Sequence, residues 1–409
     1  MDNKIRNRII AISGEPVSGK GTTIKQMINS LKQEGYSEEN IHVISTGHQF
    51  RNYFEKIIEF MRNINDEEKL KQLGQDEGLR QILENKEYRE VLSKTISDIQ
   101  KNNINLDDIS KISELNNNEI FAELRSIVDT LIDGDTKRMG QEINKEERPN
   151  EIWIFDSRMA FDNIPDAFSV RLTVNPKEAA KRLFNDSSRG NEDKYSSLEE
   201  AEKAREERRI GEIKRYKERY GVNLEDEKNY DLIIDTTSAE TNDTAKIILQ
   251  CEERYRNGKK FGKNWASVLT MIPTQSFKDT LYPQLGSIWT LNKLEEEIKK
   301  NGYDPTEEVE IYKIDGINYL SEGHHRIISN FAAGNTLIPY KDLMKSEYGQ
   351  DRIKKGNVPT FFINQLNNYE SIFESLLRRN KGNKKLEFHY VDIYPNILEL
   401  VYDDKDLYK

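Results

Sequence analysis

Apolar positions along this chain switch repeatedly between two spacings. Residues 8–13 (R-I-I-A-I-S) form a short β-branched run, which reads as a strand buried on both faces. A glycine turn follows, and over 22–34 the residues Ile24, Met27, Ile28 and Leu31 recur at helical spacing. Residues 41–45 read as the next strand. From 52 to about 150 the pattern is helical and heavily charged. Its clearest amphipathic stretch is 119–132, with Ile120, Leu124, Ile127, Val128 and Leu131 at three- and four-residue spacing. Residues 151–155 (E-I-W-I-F) and 169–174 (S-V-R-L-T-V) return to strand character. A long charged helix is predicted over 198–220, and 230–235 (Y-D-L-I-I-D) is another strand. Strands separated by helical stretches predict an α/β fold on a parallel sheet flanked by helices.

After a predicted helix at 245–256 comes N-G-K-K-F-G-K-N, whose glycines and lysines read as a linker. Two domains are therefore expected, 1–257 and a smaller α+β domain over 258–409. In the second, 310–312 and 317–320 flank Asp315-Gly316, the signature of a tight hairpin. Residues 346–409 carry no motif.

Composition narrows the class. The chain has 409 residues, 35% hydrophobic and 33% charged, with a formal net charge of −10. That balance is unsuited to generic binding of nucleic-acid backbones, though it leaves room for a local basic patch. A single cysteine, Cys251, excludes an intrachain disulfide framework and fits a reducing compartment. No apolar run reaches membrane-spanning length, and residues 1–12 lack a secretory h-region, so a cytoplasmic protein without a membrane partner is expected.

The first strand and first helix are joined by Gly14-Glu15-Pro16-Val17-Ser18-Gly19-Lys20-Gly21-Thr22. Glycine lets backbone N–H groups turn inward around phosphate oxygens at the positive end of a helix. In this reading Gly14, Ser18, Gly19, Lys20, Gly21, Thr22 and Thr23 hold ATP. Lys20 supplies a mobile charge for the β- and γ-phosphates, and Thr22 or Thr23 offers a hydroxyl to Mg²⁺. At the end of the third strand, Asp156 and Arg158 face the side where parallel sheets bind ligands. Asp156 is a candidate for the Mg²⁺ shell, along with Thr22, or for orienting the acceptor, and Arg158 for bridging phosphates.

The ending G-K-G-T resembles the nucleoside monophosphate kinases, with Val17 in place of a family glycine. Ser45-Thr46-Gly47-His48-Gln49-Phe50-Arg51 is similar to the segment that begins monophosphate binding in those kinases. The resemblance implies that Ser45 and Thr46 line the acceptor and that Arg51 grips its phosphate. Arg205, Arg208, Glu212, Arg215 and Arg219 are spaced to share one helix face. Among them, Arg208, Glu212 and Arg215 match the lid pattern of cytidylate kinases, and R-Y-K-E-R-Y-G-V-N-L resembles the archaeal type. The family's implied machinery is thus Lys20, Asp156, Arg158, Arg208 and Arg215 as catalytic residues and Glu212 on the acceptor, within a lid over 182–220. Bacterial members carry Asp after the arginine of the third strand to read cytosine; Met159 stands there instead. The resemblance covers about 5–250, with an enlarged region at 52–150. A small-molecule acceptor follows from it. A non-nucleotide hydroxyl such as free serine, a modified nucleoside or a nucleic-acid end is an alternative acceptor, and a non-catalytic nucleotide switch contacting DNA or protein is an alternative function.

Glu322-Gly323-His324-His325-Arg326 precedes an apolar helix at 327–333. This resembles the ParB/sulfiredoxin-like fold over about 265–345, which implies a phosphate or nucleotide site using these five residues. Adjacent histidines also raise the option of a metal, but no third ligand stands at suitable spacing.

Overall fold

A computed structural model describes residues 7–64, 71, 73–106, 119–185, 195–273, 287–314 and 317–354. The chain order begins β1 (Arg8–Gly14), α1 (Lys20–Gln33), β2 (Ile41–Ser45), α2 (Thr46–Arg62), α3 (Glu77–Glu84), α4 (Lys86–Lys101) and α5 (Ala122–Ile143). It continues with β3 (Ile152–Asp156), α6 (Ala160–Asn163), β4 (Phe168–Thr173), α7 (Pro176–Asn185), α8 (Leu198–Tyr220), β5 (Leu232–Asp235) and α9 (Thr241–Arg256). It ends with β6 (Asn264–Ser267), β7 (Met271–Pro273), α10 (Ser287–Asn301), β8 (Val309–Ile314), β9 (Ile317–Glu322), α11 (His324–Ala332), β10 (Leu337–Asp342) and α12 (Glu347–Lys354). The α/β alternation expected from the spacing is present. The D-G turn at 315–316 lies outside the described residues, as do 186–194 of the expected lid and everything after 354.

Two compact units emerge, drawn on different lines from a division at 257/258. One takes Met1–Pro16, Gly35–Ser169 and Ala179–Asn229; the other takes Val17–Glu34, Val170–Glu178 and Tyr230–Lys409. In the first unit the strand order is β2-β3-β1, all parallel. Its helices α2–α5 enclose a core of their own around Phe54, Ile57, Leu79, Leu92, Phe121 and Leu124. A second core packs Ile9, Ala11 and Phe155 against Ile143, Ala160 and Ile164. The described residues of the charged 52–150 segment therefore form helices whose apolar stripes face one another.

In the second unit the order is β4-β5-β6-β10-β8-β9-β7. Pairings there are parallel except β10–β6 and β8–β9. α1 lies against α9. The lysine-rich stretch read as a linker ends in β6, which pairs parallel to β5 (Ile233↔Asn264) and antiparallel to β10 (Tyr340↔Asn264). Gly262 explains why that stretch looked like a linker. A Cβ there would stand 2.7 Å from Pro339 Cβ, so glycine serves a close approach rather than flexibility. Its N–H donates to Pro305 O at 2.6 Å, and Trp265 is fully buried. The core of this part joins Val268, Leu291, Ile298, Val309, Leu320, Ile327 and Ile338.

Helix ends follow their side chains. Asp76 accepts from Leu79 N and caps α3, Asn85 accepts from Tyr88 N and caps α4, and Ser197 accepts from Glu200 N and caps α8. Gly221 closes α8 in the left-handed conformation, at φ 68°.

Candidate functional site

In the second unit, the crown of the Gly14–Thr22 loop has left-handed backbone at Val17 (φ 64°) and Gly19 (φ 84°). A left-handed residue followed by the right-handed start of α1 is the backbone pattern of an anion-binding nest. Ser18 is 1% exposed, and its Oγ has no partner among the described residues. Its carbonyl is held by Thr236 Oγ1 at 3.0 Å, a hydroxyl also 2.9 Å from Thr173 O. A Cβ on Gly21 would meet open space. Thr22 is exposed and its hydroxyl donates to Gly19 O at 2.8 Å, whereas Thr23 is buried. Of the two threonine hydroxyls, only that of Thr22 faces solvent. An orphaned buried hydroxyl, an open glycine and a lysine at a helix start fit a phosphate chain with its Mg²⁺.

Val17 deserves separate weight because a β-branched residue is strained at positive φ, by about 1–3 kcal/mol. The loop keeps a glycine conformation at the position where the resembling kinases carry glycine. Val17→Gly relieves that strain against a chain-entropy penalty of about 0.5–1 kcal/mol. We expect a net gain of about 1 kcal/mol, read as a raised urea midpoint; a lowered midpoint would count against the strain.

In the first unit, the parallel register sets Ser45 beside Asp156 and Ile12 beside Asp156, at the carboxyl ends of β2, β3 and β1. Ser45 Oγ donates to Asp156 Oδ2 and Thr46 Oγ1 to Asp156 O, each at 3.2 Å. Just beyond, Arg158 forks onto Glu212, Nε at 3.1 Å and Nη2 at 3.3 Å. Burial opposes its charge, but the Glu212 carboxylate outweighs that and raises the guanidinium above its ordinary value. Arg208 reaches the same carboxylate at 3.5 Å while remaining exposed. So the structure brings Asp156 together with Ser45 and Thr46, and Arg158 together with Glu212 and Arg208.

Other expected residues fall elsewhere. Arg51 is exposed, its Nη1 lying 3.9 Å from where a Cβ on Gly47 would stand. Arg215 is exposed and lies over the Tyr216 ring at 5.4 Å. Met159 is 2% exposed, so its side chain is a core residue and reads no base. The five residues of the α8 face do not act as one set. Arg205 pairs with Glu15, Glu212 with Arg158, and Arg219 with Asp129 of α5.

That last contact opens a polar seam between α5 and α8 that periodicity did not single out. Arg219 donates to Asp129 at 3.3 Å and also to Ser126 O and Thr130 Oγ1. Tyr220 donates to Asp133, which also accepts from Asn163 Nδ2 at 3.2 Å. Burial raises both carboxyls, against the pull of Arg215 and Arg219 on Asp129 and of the Tyr220 hydroxyl on Asp133. Burial likewise pushes the Tyr216 hydroxyl up to about 12. The signal available in sequence was two aspartates four apart on α5 with two Arg-Tyr pairs four apart on α8.

In the second unit, residues 322–326 do gather where β9 meets α11. Gly323 is left-handed (φ 106°), and a Cβ there would collide with Val309 Cγ1 at 2.5 Å. Glu322 is exposed, and His325 Nε2 is buried without a partner among the described residues. Arg326 Nη1 donates to Glu308 O at 2.6 Å and lies 3.8 Å from Glu307. His324 is 4% exposed, and burial, with His325 beside it, lowers its pKa to about 4. It is a neutral core residue at neutral pH rather than a cation for phosphate. Among the described residues, no group of three or more His, Cys, Asp or Glu gathers as a metal site.

His324 gives a pH dependence. Its folded value of about 4 lies below the ordinary 6.5, so the unfolded chain binds more protons between those values. The contribution is complete above pH 6.5 and is lost as pH falls toward 4, by about 3 kcal/mol in all. Urea unfolding at pH 7 and pH 5 should show the wild-type midpoint falling, and His324→Phe should flatten the difference.

No protein-family profile matches the chain. A curated S-adenosylmethionine-dependent nucleotide dehydratase from Lacinutrix mariniflava is 35% identical over 99 residues, 24% of this chain. The matching part spans 19% of that protein's length. Among solved structures, TT1252 from Thermus thermophilus is similar at a TM-score of 0.31 and 15% identity, over 61% of this chain and 98% of that one. No helix among the described residues is long and apolar enough to cross a membrane.

Proposed function

We propose that this chain is an ATP- and Mg²⁺-dependent phosphotransferase of the P-loop kind, acting on a small acceptor, with a nucleoside monophosphate as the leading candidate. The observation that carries the reading is the loop crown: left-handed Val17 and Gly19, the orphaned Ser18 Oγ and Lys20 at the first position of α1. Such a crown suits a phosphate chain, with backbone N–H groups and the lysine sharing its charge. Mg²⁺ would be held through the Thr22 hydroxyl and would screen the phosphates from one another. In the transfer an acceptor oxygen attacks the γ-phosphorus, and the bond to the β–γ bridging oxygen breaks as ADP leaves. Asp156, fixed by Ser45 and Thr46, would orient the acceptor, while Arg158 and Arg208 would answer charge on the moving phosphoryl.

The curated relative's name refers to nucleotide chemistry, which supports a nucleotide over free serine. Buried Met159 favours a second reading in which the acceptor is not cytidylate, because the family's base-reading carboxylate has no counterpart there. The turn at 322–326 is proposed as an accessory phosphate or nucleotide site in a ParB-like domain, using Arg326, His325 and the start of α11. A coupled ADP-release assay over CMP, dCMP, UMP, AMP, serine and oligonucleotides, with Lys20→Ala as control, tests the proposal. Turnover on one monophosphate, abolished by the control, supports it. Turnover on UMP, AMP, serine or oligonucleotides but not on CMP or dCMP supports the second reading, and stoichiometric ATP binding without product would leave a nucleotide switch.

A further inference from the structure

Glu15 is the second residue of the phosphate loop, between Gly14 and Pro16. Its carboxylate accepts a hydrogen bond from Arg205 Nη2 of α8, and both residues belong to the first unit. The Arg205 side chain is 2% exposed and that of Glu15 15%. Arg205 Nη1 also reaches Glu206 at 3.2 Å, but that carboxylate is shared with Arg209, Nη2 at 2.7 Å and Nε at 3.0 Å. Arg205 Nε is buried with no partner among the described residues. A guanidinium this deep is retained at a cost, and Glu15 is the partner from outside its own helix that offsets it.

Burial also decides how Arg205 can act. A side chain 2% exposed does not reach a substrate, so any influence on the site passes through Glu15 and the helix. Arg205, Arg208 and Glu212 share one helix face, with Arg205 and Glu212 about 10 Å apart along the axis. That face is pinned at Arg205 by Glu15, at Glu212 by Arg158 at the end of β3 and at Arg219 by Asp129 of α5. The second and third pins lie in the second half of α8 (Leu198–Tyr220). The first sets the helix against the beginning of the loop, one residue before Pro16 restricts the chain.

We propose that the Glu15–Arg205 pair is a positioning clamp that ties the chain leaving β1 at Gly14–Pro16 to α8 and fixes where Arg208 and Glu212 meet Arg158. Its consequence for turnover rests on the phosphotransferase reading; the clamp itself concerns only the loop and the helix. The resembling kinases suggested Arg208 and Arg215 as lid residues, and the resemblance gave no role to Glu15 or Arg205.

The test uses the full chain carrying Glu15→Gln, with Glu15→Asp as the conservative variant. Amide hydrogen exchange over 198–220 without nucleotide reads the clamp, and kcat against KM for ATP reads its consequence. Glu15→Gln should speed exchange in the first half of α8 by about tenfold or more, with Glu15→Asp restoring part of the protection. It should lower kcat on the order of 10- to 100-fold while KM for ATP stays within about threefold. Unchanged exchange overturns the clamp. Faster exchange with wild-type kcat overturns the positioning role, and a KM for ATP that rises as far as kcat falls would put Glu15 on the nucleotide itself. Should Glu15→Gln fail to fold, Glu15→Ala carries the same readouts against the same expectations. Should the wild type turn over no acceptor, the phosphotransferase reading fails, and the exchange result still decides the clamp.

Discussion

Lys20→Ala is expected to cut phosphoryl transfer on the order of 10³-fold while leaving the urea midpoint unchanged or slightly raised. Lys20 is the first residue of α1, whose opening turn carries no acidic residue. The N-terminal N–H groups and the helix dipole make that end positive, so a cation there is unfavourable by about 0.3–1 kcal/mol. Alanine also has the higher helix propensity. Neither the helix dipole nor helix propensity favours a lysine at this position, whereas an anion drawn to both the helix end and the ammonium would. Steady-state turnover on the acceptor found in the panel, beside urea unfolding, separates the two contributions. An intact midpoint with turnover within about tenfold of wild type would remove Lys20 from the machinery.

Arg158→Met is expected to lose transfer by about 10²- to 10³-fold and, unlike Lys20→Ala, to destabilise the chain by about 2 kcal/mol. The pair it breaks is 19% and 15% exposed, so solvent screens part of the penalty of leaving Glu212 alone, and Arg208 stands 3.5 Å away to take some of it up. The informative companion is the double variant Arg158→Met/Glu212→Met. Replacing both members by apolar groups removes the stranded carboxylate, so stability should return to near wild type while transfer stays lost. If the double variant recovered transfer together with stability, the pair would be a brace for α8 and nothing more. Urea midpoints and initial rates on the same preparations decide it.

Much of the architecture is legible in the sequence. Strands and helices fell close to their expected bounds because local periodicity reports which face of an element is buried. The strand-to-helix setting of the Gly14–Thr22 loop was legible for a similar reason, since its glycines, its lysine and the flanking elements are contiguous in the chain. Even the departure at Val17 was visible, although only the backbone revealed that valine holds a glycine conformation there.

Contacts between distant segments were not legible in this way. The spacing of Arg205, Arg208, Glu212, Arg215 and Arg219 correctly put them on one helix face, yet spacing carries no information on what that face meets. Tertiary packing turned one residue inward to Glu15, one to Arg158 and one to Asp129, and left Arg208 and Arg215 exposed. His324 looked like a phosphate cation beside Arg326, and burial made it neutral. Gly262 looked like linker composition, and the approach of Pro339 made it a packing residue. The sequence by itself thus determined the α/β elements and the glycine-lysine turn that joins β1 to α1, because both depend on residues that are neighbours in the chain. Which charged side chains are paired, buried or left facing solvent was decided only by the tertiary structure, because charge state and exposure depend on groups up to 190 residues away.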